Sequence, residues 1–212
     1  MTMVKPKFIR WGIEFLSITV MAIILSQVNW SNYWISVPIV LIVGLKIYEH
    51  RSDVKEKHSR VYAQLHLLVK LLSYEPRVDV RCTYHVPVWR KKLLQTCDYI
   101  LGGTGRGRKF PTEKGIIGKA FVDKSLLVEN FKSDEEFRTK MVLEYKYTTE
   151  ELQHRKADRR SYLCYPIVDE NHRVLGLVYF DSSRPYTFTA DIDHPKMEMI
   201  TQACEAIKDR LL

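Results

Sequence analysis

Residues 161–182 read SYLCYPIVDENHRVLGLVYFDS. Two apolar runs, Tyr162–Val168 and Val174–Asp181, flank the polar stretch from Asp169 to Arg173. Runs of this length, rich in β-branched and aromatic residues, predict two central strands joined by a hairpin turn. Upstream, Val78, Val80, Cys82, Tyr84 and Val86 alternate with Asp79, Arg81, Thr83 and His85, the period of a half-buried strand. Lys92–Leu101 reads as the next strand, followed by a loop with four glycines, Gly102–Lys109. Lys114–Phe121, KGIIGKAF, is a glycine turn feeding a short helix, and Ser125–Val128 a short strand. Asp134–Asp158 reads as helical with a loose portion. Asp191–Leu212 closes the chain as a helix with Ile192, Met199, Ala203, Ile207 and Leu211 on or near one face. This order predicts an α+β fold, an antiparallel sheet flanked by helices.

The remainder of the 212 residues is organised differently. Segment 11–28 contains one ionisable residue, Glu14, and Tyr33–Leu45 contains none, while everything beyond about residue 50 has ordinary soluble composition. The expected boundaries are therefore 1–50 for a tail and apolar hairpin, 51–75 for a connecting helix, and 76–212 for one soluble domain. Cys82, Cys97, Cys164 and Cys204 form no C-x-x-C pair and read as reduced, mostly buried thiols. No metal or cofactor is expected.

A helix crossing a bilayer needs about 20 apolar residues, with a lower limit near 17. Segment 11–28 meets this, and 33–48 is extended by a snorkelling Lys46 and an interfacial Tyr48. Between them lies a polar turn beside which Trp30, Tyr33 and Trp34 cluster as an aromatic belt. So short a turn makes the pair an antiparallel hairpin. Lys5, Lys7 and Arg10 precede it, and Lys46, Arg51, Lys55, Lys57 and Arg60 lie at or beyond its end, while the turn has no charge. The positive-inside rule then places both termini in the cytoplasm, the hairpin spanning the inner membrane. A cleaved signal peptide fits less well, because no cleavage site follows and a second apolar segment comes at once. Glu14 snorkels or faces a partner helix, and Pro38 is a kink that neighbouring helices in lipid tolerate.

From Ser52 to Tyr74 there is no Pro or Gly, and Ser52 or Asp53 is a candidate N-cap. Val54, His58, Val61, Leu65, Leu68 and Leu72 recur at spacings of four and three. That seam suits either a parallel coiled-coil dimer or an amphipathic helix packing on its own domain.

The soluble part resembles the GAF domain family over roughly residues 60–212. Gly115–Ala120, GIIGKA, is similar to the family's glycine turn, and Val128-Glu129-Asn130 resembles the strand after it. Ser161–Ile167 resembles its S-x-x-x-x-P-[IL] strand, Gly176–Ser182 its G-[VL]-[IVL]-x-[FL]-x-S strand, and Tyr186–Thr189 its entry into the last helix. The resemblance implies a pocket between the sheet and the variable helices, without naming a ligand. Asn130–Glu135, NFKSDE, departs from the cyclic-nucleotide signature of the family. No cysteine has the neighbour that chromophore attachment requires, and the dispersed cysteines do not reproduce the cluster of the free-methionine-sulfoxide reductases. No enzymatic activity is expected. Candidate ligand contacts are the aromatic residues Phe121, Phe131, Tyr145 and Tyr162, Arg159 and Arg160 in a basic run, and Arg106 and Arg108 in the glycine loop. That loop could wrap a phosphate, although no G-K-[ST] ends it.

Together these features suggest a membrane-anchored cytosolic sensor for a small anionic, nucleotide-like ligand. With no output domain after Leu212, the signal is expected to leave through helix association in a homo-oligomer, through the hairpin, or through a partner. Bacterial antiphage effectors that permeabilise membranes share this layout. The alternative is a ligand-free membrane scaffold that recruits a cytosolic partner or dimerises. Nucleic-acid binding is set aside, because part of the net charge of +8 sits beside the apolar segments.

Overall fold

A computed structural model of the chain describes residues 33–72, 79–153 and 158–211. The chain divides into two compact units, Met1–Glu56 and Lys57–Leu212.

In the first unit the described residues belong to helix α1 (Tyr33–Leu72), which continues into the second unit. The expected helices over 33–48 and 51–75 are thus one. Ser52 and Asp53 lie within it rather than at its start, since an isolated Ser or Asp costs a helix interior only about half a kcal/mol. Trp34 and Pro38 lie in α1, whereas Glu14, Trp30 and the helix expected over 11–28 fall outside the described residues. Among the described residues no helix is long and apolar enough to cross a membrane. The uncharged run Tyr33–Leu45 is 13 residues, so the expected segment 33–48 reaches its length only with Lys46 and Tyr48 included.

In the second unit β1 (Val80–Val88), β2 (Lys92–Gln95), β3 (Lys109–Pro111), β4 (Leu127–Asn130), β5 (Ser161–Val168) and β6 (Val174–Ser182) form one sheet. The order is β3-β2-β1-β6-β5-β4, every pair antiparallel. The helices α2 (Gly115–Asp123), α3 (Asp134–Leu143), α4 (Thr149–Gln153) and α5 (Pro195–Leu211) complete it. The expected strand Lys92–Leu101 ends at Gln95. Beyond it the chain stays beside β1 by irregular bonds, Thr96 N–H to the Tyr84 carbonyl and Ile100 N–H to that of Cys82. Asp134–Asp158 breaks into α3 and α4, and the last helix begins at Pro195 rather than Asp191.

The alternation of β1 sorts its side chains. Val80, Cys82 and Tyr84 join Leu163, Ile167, Val178 and Phe180 on one face, under Met197, Ile200, Cys204 and Ile207 of α5. Val61, Leu65, Leu68, Val69 and Leu72 of α1 are buried in that same core. For Val61, Leu65, Leu68 and Leu72 the two readings of the seam are therefore resolved: this part of it packs on its own domain. Burying each such side chain contributes about 1.5–3 kcal/mol. Gly176 lets β6 approach Tyr84, since a Cβ there would lie 2.0 Å from the tyrosine hydroxyl. The opposite face carries Tyr162, Cys164, Leu177 and Tyr179 beneath α2 and α3, with Ile116, Ala120, Phe137 and Met141 packed on them. On that side of the sheet the cover is incomplete.

Candidate functional site

Where the cover fails there is a cavity of about 430 Å³. Its floor is Arg81 of β1, Tyr162 of β5, and Tyr179 and Asp181 of β6. Tyr99, Arg108 and Phe110 form one wall, and the start of α2 with Phe137, Met141 and Tyr147 forms the roof. Asp158 and Arg159 close the side.

Electrostatically the floor is a paired network. Arg81 and Asp181 are cross-strand partners, and the guanidinium donates from Nε to Oδ1 at 2.8 Å and from its second terminal nitrogen to Oδ2 at 2.9 Å. Arg159 Nε lies 3.4 Å from the same Oδ1, while its terminal nitrogen donates to Asp79 Oδ2 at 2.6 Å. Burial pushes the Asp181 carboxyl up, and the two guanidinium groups oppose that rise. Arg81 also stacks over Tyr99, 4.5 Å from the ring centroid. Burial raises the Tyr99 phenol to about 12 and holds Tyr162 and Tyr179 well above the ordinary range, so all three stay neutral donors.

At the roof, Lys114 occupies the N-cap of α2 without capping it, and no side chain there accepts from the helix. The Gly115 N–H is taken by the Tyr145 carbonyl, and the next residues of the first turn, Ile116 and Ile117, line the cavity. Lys114 reaches over the Tyr147 ring, 5.0 Å from its centroid, and pairs with Glu151. Arg108 makes no ion pair among the described residues. An uncapped helix start with two nearby cations is a ready anion site, and the aromatic walls suit a planar body.

Of the residues expected from sequence to contact a ligand, Arg108, Arg159 and Tyr162 line the cavity. Phe121, Phe131, Tyr145, Arg106 and Arg160 do not. Phe131 is fully buried between Phe137 and Tyr162, with ring centroids 5.2 and 5.6 Å away. Tyr145 is buried and donates its hydroxyl to Glu129, and Phe121 packs beside them in the same core. Arg160 turns to Asp134. Two amides of the glycine loop are taken by the carboxylate of Asp98, which precedes it: Asp98 Oδ1 accepts from Gly105 N–H at 2.7 Å and Arg106 N–H at 3.0 Å. Those backbone bonds hold the Asp98 carboxyl below the usual range. Sequence reasoning missed Arg81, Tyr99, Lys114, Tyr179 and Asp181. The available signal was Arg81 and Asp181, two charged residues of opposite sign within strand-like stretches that carry no other charge between Val80 and Val88 or Val174 and Ser182. Burial pushes the thiols of Cys82, Cys164 and Cys204 up, and none of the four cysteines lines the cavity.

Comparison with known proteins agrees with this fold. The fold is similar to that of the type II free methionine-R-sulfoxide reductase from Thermoplasma acidophilum, at 14% identity and a TM-score of 0.50, covering 73% of this chain and 93% of that one. It is equally similar to the GAF domain of the Acinetobacter phosphoenolpyruvate-protein phosphotransferase, at 14% identity and a TM-score of 0.50, covering 79% and 92%. No curated protein matches the chain. The sequence signature of the GAF domain matches residues 71–207, and the chain therefore belongs to the GAF domain family.

Proposed function

We propose that the cavity between sheet and α2 is a sensor site for a small, planar, anionic ligand, nucleotide-like in its chemistry. GAF domains typically bind small ligands as sensors. The observation that carries the finer reading is the conjunction at one cavity of a helix start without a side-chain cap, the cations Lys114 and Arg108, and a tyrosine-rich wall. Anionic groups would sit at Lys114 and the α2 amides, and the planar part against Tyr99 and Tyr179. The protein acts by binding rather than catalysis, a reading supported by three buried, neutral thiols and by a carboxylate already engaged with two arginines. The apolar segments 11–28 and 33–48 anchor it in the inner membrane with both termini cytoplasmic, supported by their composition and flanking charge. The signal leaves through α1, by helix association or through the membrane segment, as in a membrane-acting defence effector.

The test is a thermal-shift and native mass-spectrometry screen of the full chain against mono-, di- and cyclic nucleotides, repeated with Arg108→Glu and Lys114→Glu. A ligand that raises the melting temperature of the parent and of neither variant supports the site. No shift with any compound, and no co-purifying small molecule, overturns it.

A second reading, a ligand-free scaffold that dimerises, is favoured by Leu67 and Leu71 of α1, which are 61% and 52% exposed, and by the exposed Tyr62 of α1 and Met199 of α5. Both helices cover the same sheet face. Sedimentation of the ligand-free protein distinguishes the two.

A further inference from the structure

The β1–β2 hairpin ends in Trp89, Arg90 and Lys91, followed by Lys92. Trp89 is 69% exposed and Arg90, Lys91 and Lys92 are exposed beside it. The Arg90 guanidinium lies over the Trp89 indole, 5.6 Å from its centroid. Arg90 and Lys91 both hold left-handed backbone, with φ of 64° and 51°. Turns of that shape favour Gly, Asn or Asp, so two long cationic side chains occupy positions the backbone disfavours. Such a departure points to a use for the side chains. The nearby acid is Glu113, 3.5 Å from Lys91 Nζ. A solvent-exposed indole ringed by cations is the composition of a membrane interface, where the ring sits at headgroup level and the cations meet anionic lipid.

The placement of the tip agrees. β1 and β5 run the same way, since each is antiparallel to β6. α5 follows β6 and runs along β5, its Glu205 accepting from the Tyr165 hydroxyl at 2.9 Å. It therefore ends at the side of the domain where β1 turns into β2. Lys57 of α1 donates to the Leu211 carbonyl at 3.4 Å, which puts the entry of α1 into the domain at that same side.

We infer that the Trp89–Lys92 tip docks on an anionic lipid surface, with Trp89 at headgroup depth and Arg90, Lys91 and Lys92 on lipid phosphates and carboxylates. The inference goes beyond the ligand site and does not depend on residues 1–32 spanning a bilayer.

The experiment uses the full chain carrying W11F, W30F and W34F, so that Trp89 alone fluoresces. It is incubated with, or reconstituted into, vesicles of phosphatidylcholine alone or with 30% phosphatidylserine, each with and without dibrominated acyl chains. Docking predicts a blue-shifted Trp89 emission quenched by brominated lipid and shielded from acrylamide in the anionic vesicles. Adding Arg90→Glu, Lys91→Glu and Lys92→Glu should raise the lipid concentration needed for half-quenching at least about tenfold. These side chains are exposed, so far-ultraviolet circular dichroism should remain that of the parent. Equal acrylamide access in both vesicles, or quenching that survives the charge reversal, overturns the inference. So does shielding that requires a membrane-free protein extract, which would assign the tip to a protein partner. Flotation with neutral vesicles reports separately on the apolar segments, so failure of the spans and failure of the tip are distinguishable.

Discussion

Arg81 and Asp181 face each other across the β1–β6 ladder and join by two hydrogen bonds of 2.8 and 2.9 Å, with the Asp181 side chain only 3% exposed. Removing the carboxylate leaves two guanidinium groups, Arg81 and Arg159, turned toward an empty acceptor. Asp181→Leu should therefore destabilise the domain by about 3 kcal/mol, the cost of breaking a buried pair from one side. The Arg81→Met/Asp181→Leu double variant should recover most of that loss. Urea denaturation of the four corners of this cycle is the measurement, and an additive double variant would refute the coupling.

His85 is fully buried between Phe110 and Tyr179, neither ring nitrogen has a partner, and burial lowers its pKa from 6.5 to about 3. A base held neutral in the fold is protonated first in the unfolded chain. Its contribution is thus full above pH 6.5 and is lost as pH falls toward 3, by up to about 1.4 kcal/mol per pH unit. Carboxylates such as Asp169, lowered by Arg173, add losses of the same sign at lower pH. His85→Phe isolates the histidine, and between pH 6.5 and 4.5 its unfolding free energy should fall less steeply than the parent's.

Gly176→Ala should destabilise by about 1–3 kcal/mol through overpacking, because its Cβ would lie 2.0 Å from the Tyr84 hydroxyl. That hydroxyl is buried without a partner, so Tyr84→Phe alone should be neutral or stabilising. Combined with Gly176→Ala it should restore part of the loss. Thermal melts of the three variants decide it.

Leu65→Ala and Leu68→Ala should each cost about 2–5 kcal/mol, as cavities in the domain core. Leu67→Lys and Leu71→Lys, on exposed positions of the same helix, should change stability by less than about 0.5 kcal/mol. If α1 pairs with a second copy, these two alone should shift the sedimentation coefficient.

The sheet was legible wherever period two or an apolar run was clear. Most of β1 follows from the alternation of Val78–Val86, whereas β5 and β6 follow from the apolar runs Tyr162–Val168 and Val174–Asp181, because a strand buried on both faces need not alternate. The strand after β1 was less so. Lys92–Leu101 carries the composition of a strand, yet Thr96 and Gln95 bind through side chains, Gln95 Nε2 donating to the Cys97 carbonyl at 2.9 Å, and the ladder gives way. The candidate site was legible in part, through Arg108, Arg159 and Tyr162. Its remaining contacts come from polar positions on neighbouring strands, and no local spacing brings Arg81 near Asp181, 100 residues away. The glycine loop was legible as a place where backbone amides and charge meet an anion: Arg108 reaches the cavity from it, while two of its amides bind Asp98, which precedes the loop.

The five buried side chains that α1 contributes to the sheet have a practical consequence. The family signature begins at residue 71, but Val61, Leu65, Leu68 and Val69 precede it and are no more than 3% exposed. A piece cut at that boundary would lose four aliphatic side chains worth about 1.5–3 kcal/mol each. The sum rivals the whole stability of an ordinary domain, about 5–15 kcal/mol. The smallest fragment that folds must therefore start upstream of Val61, so the recognisable sequence is shorter than the unit that can be inherited, expressed or grafted intact.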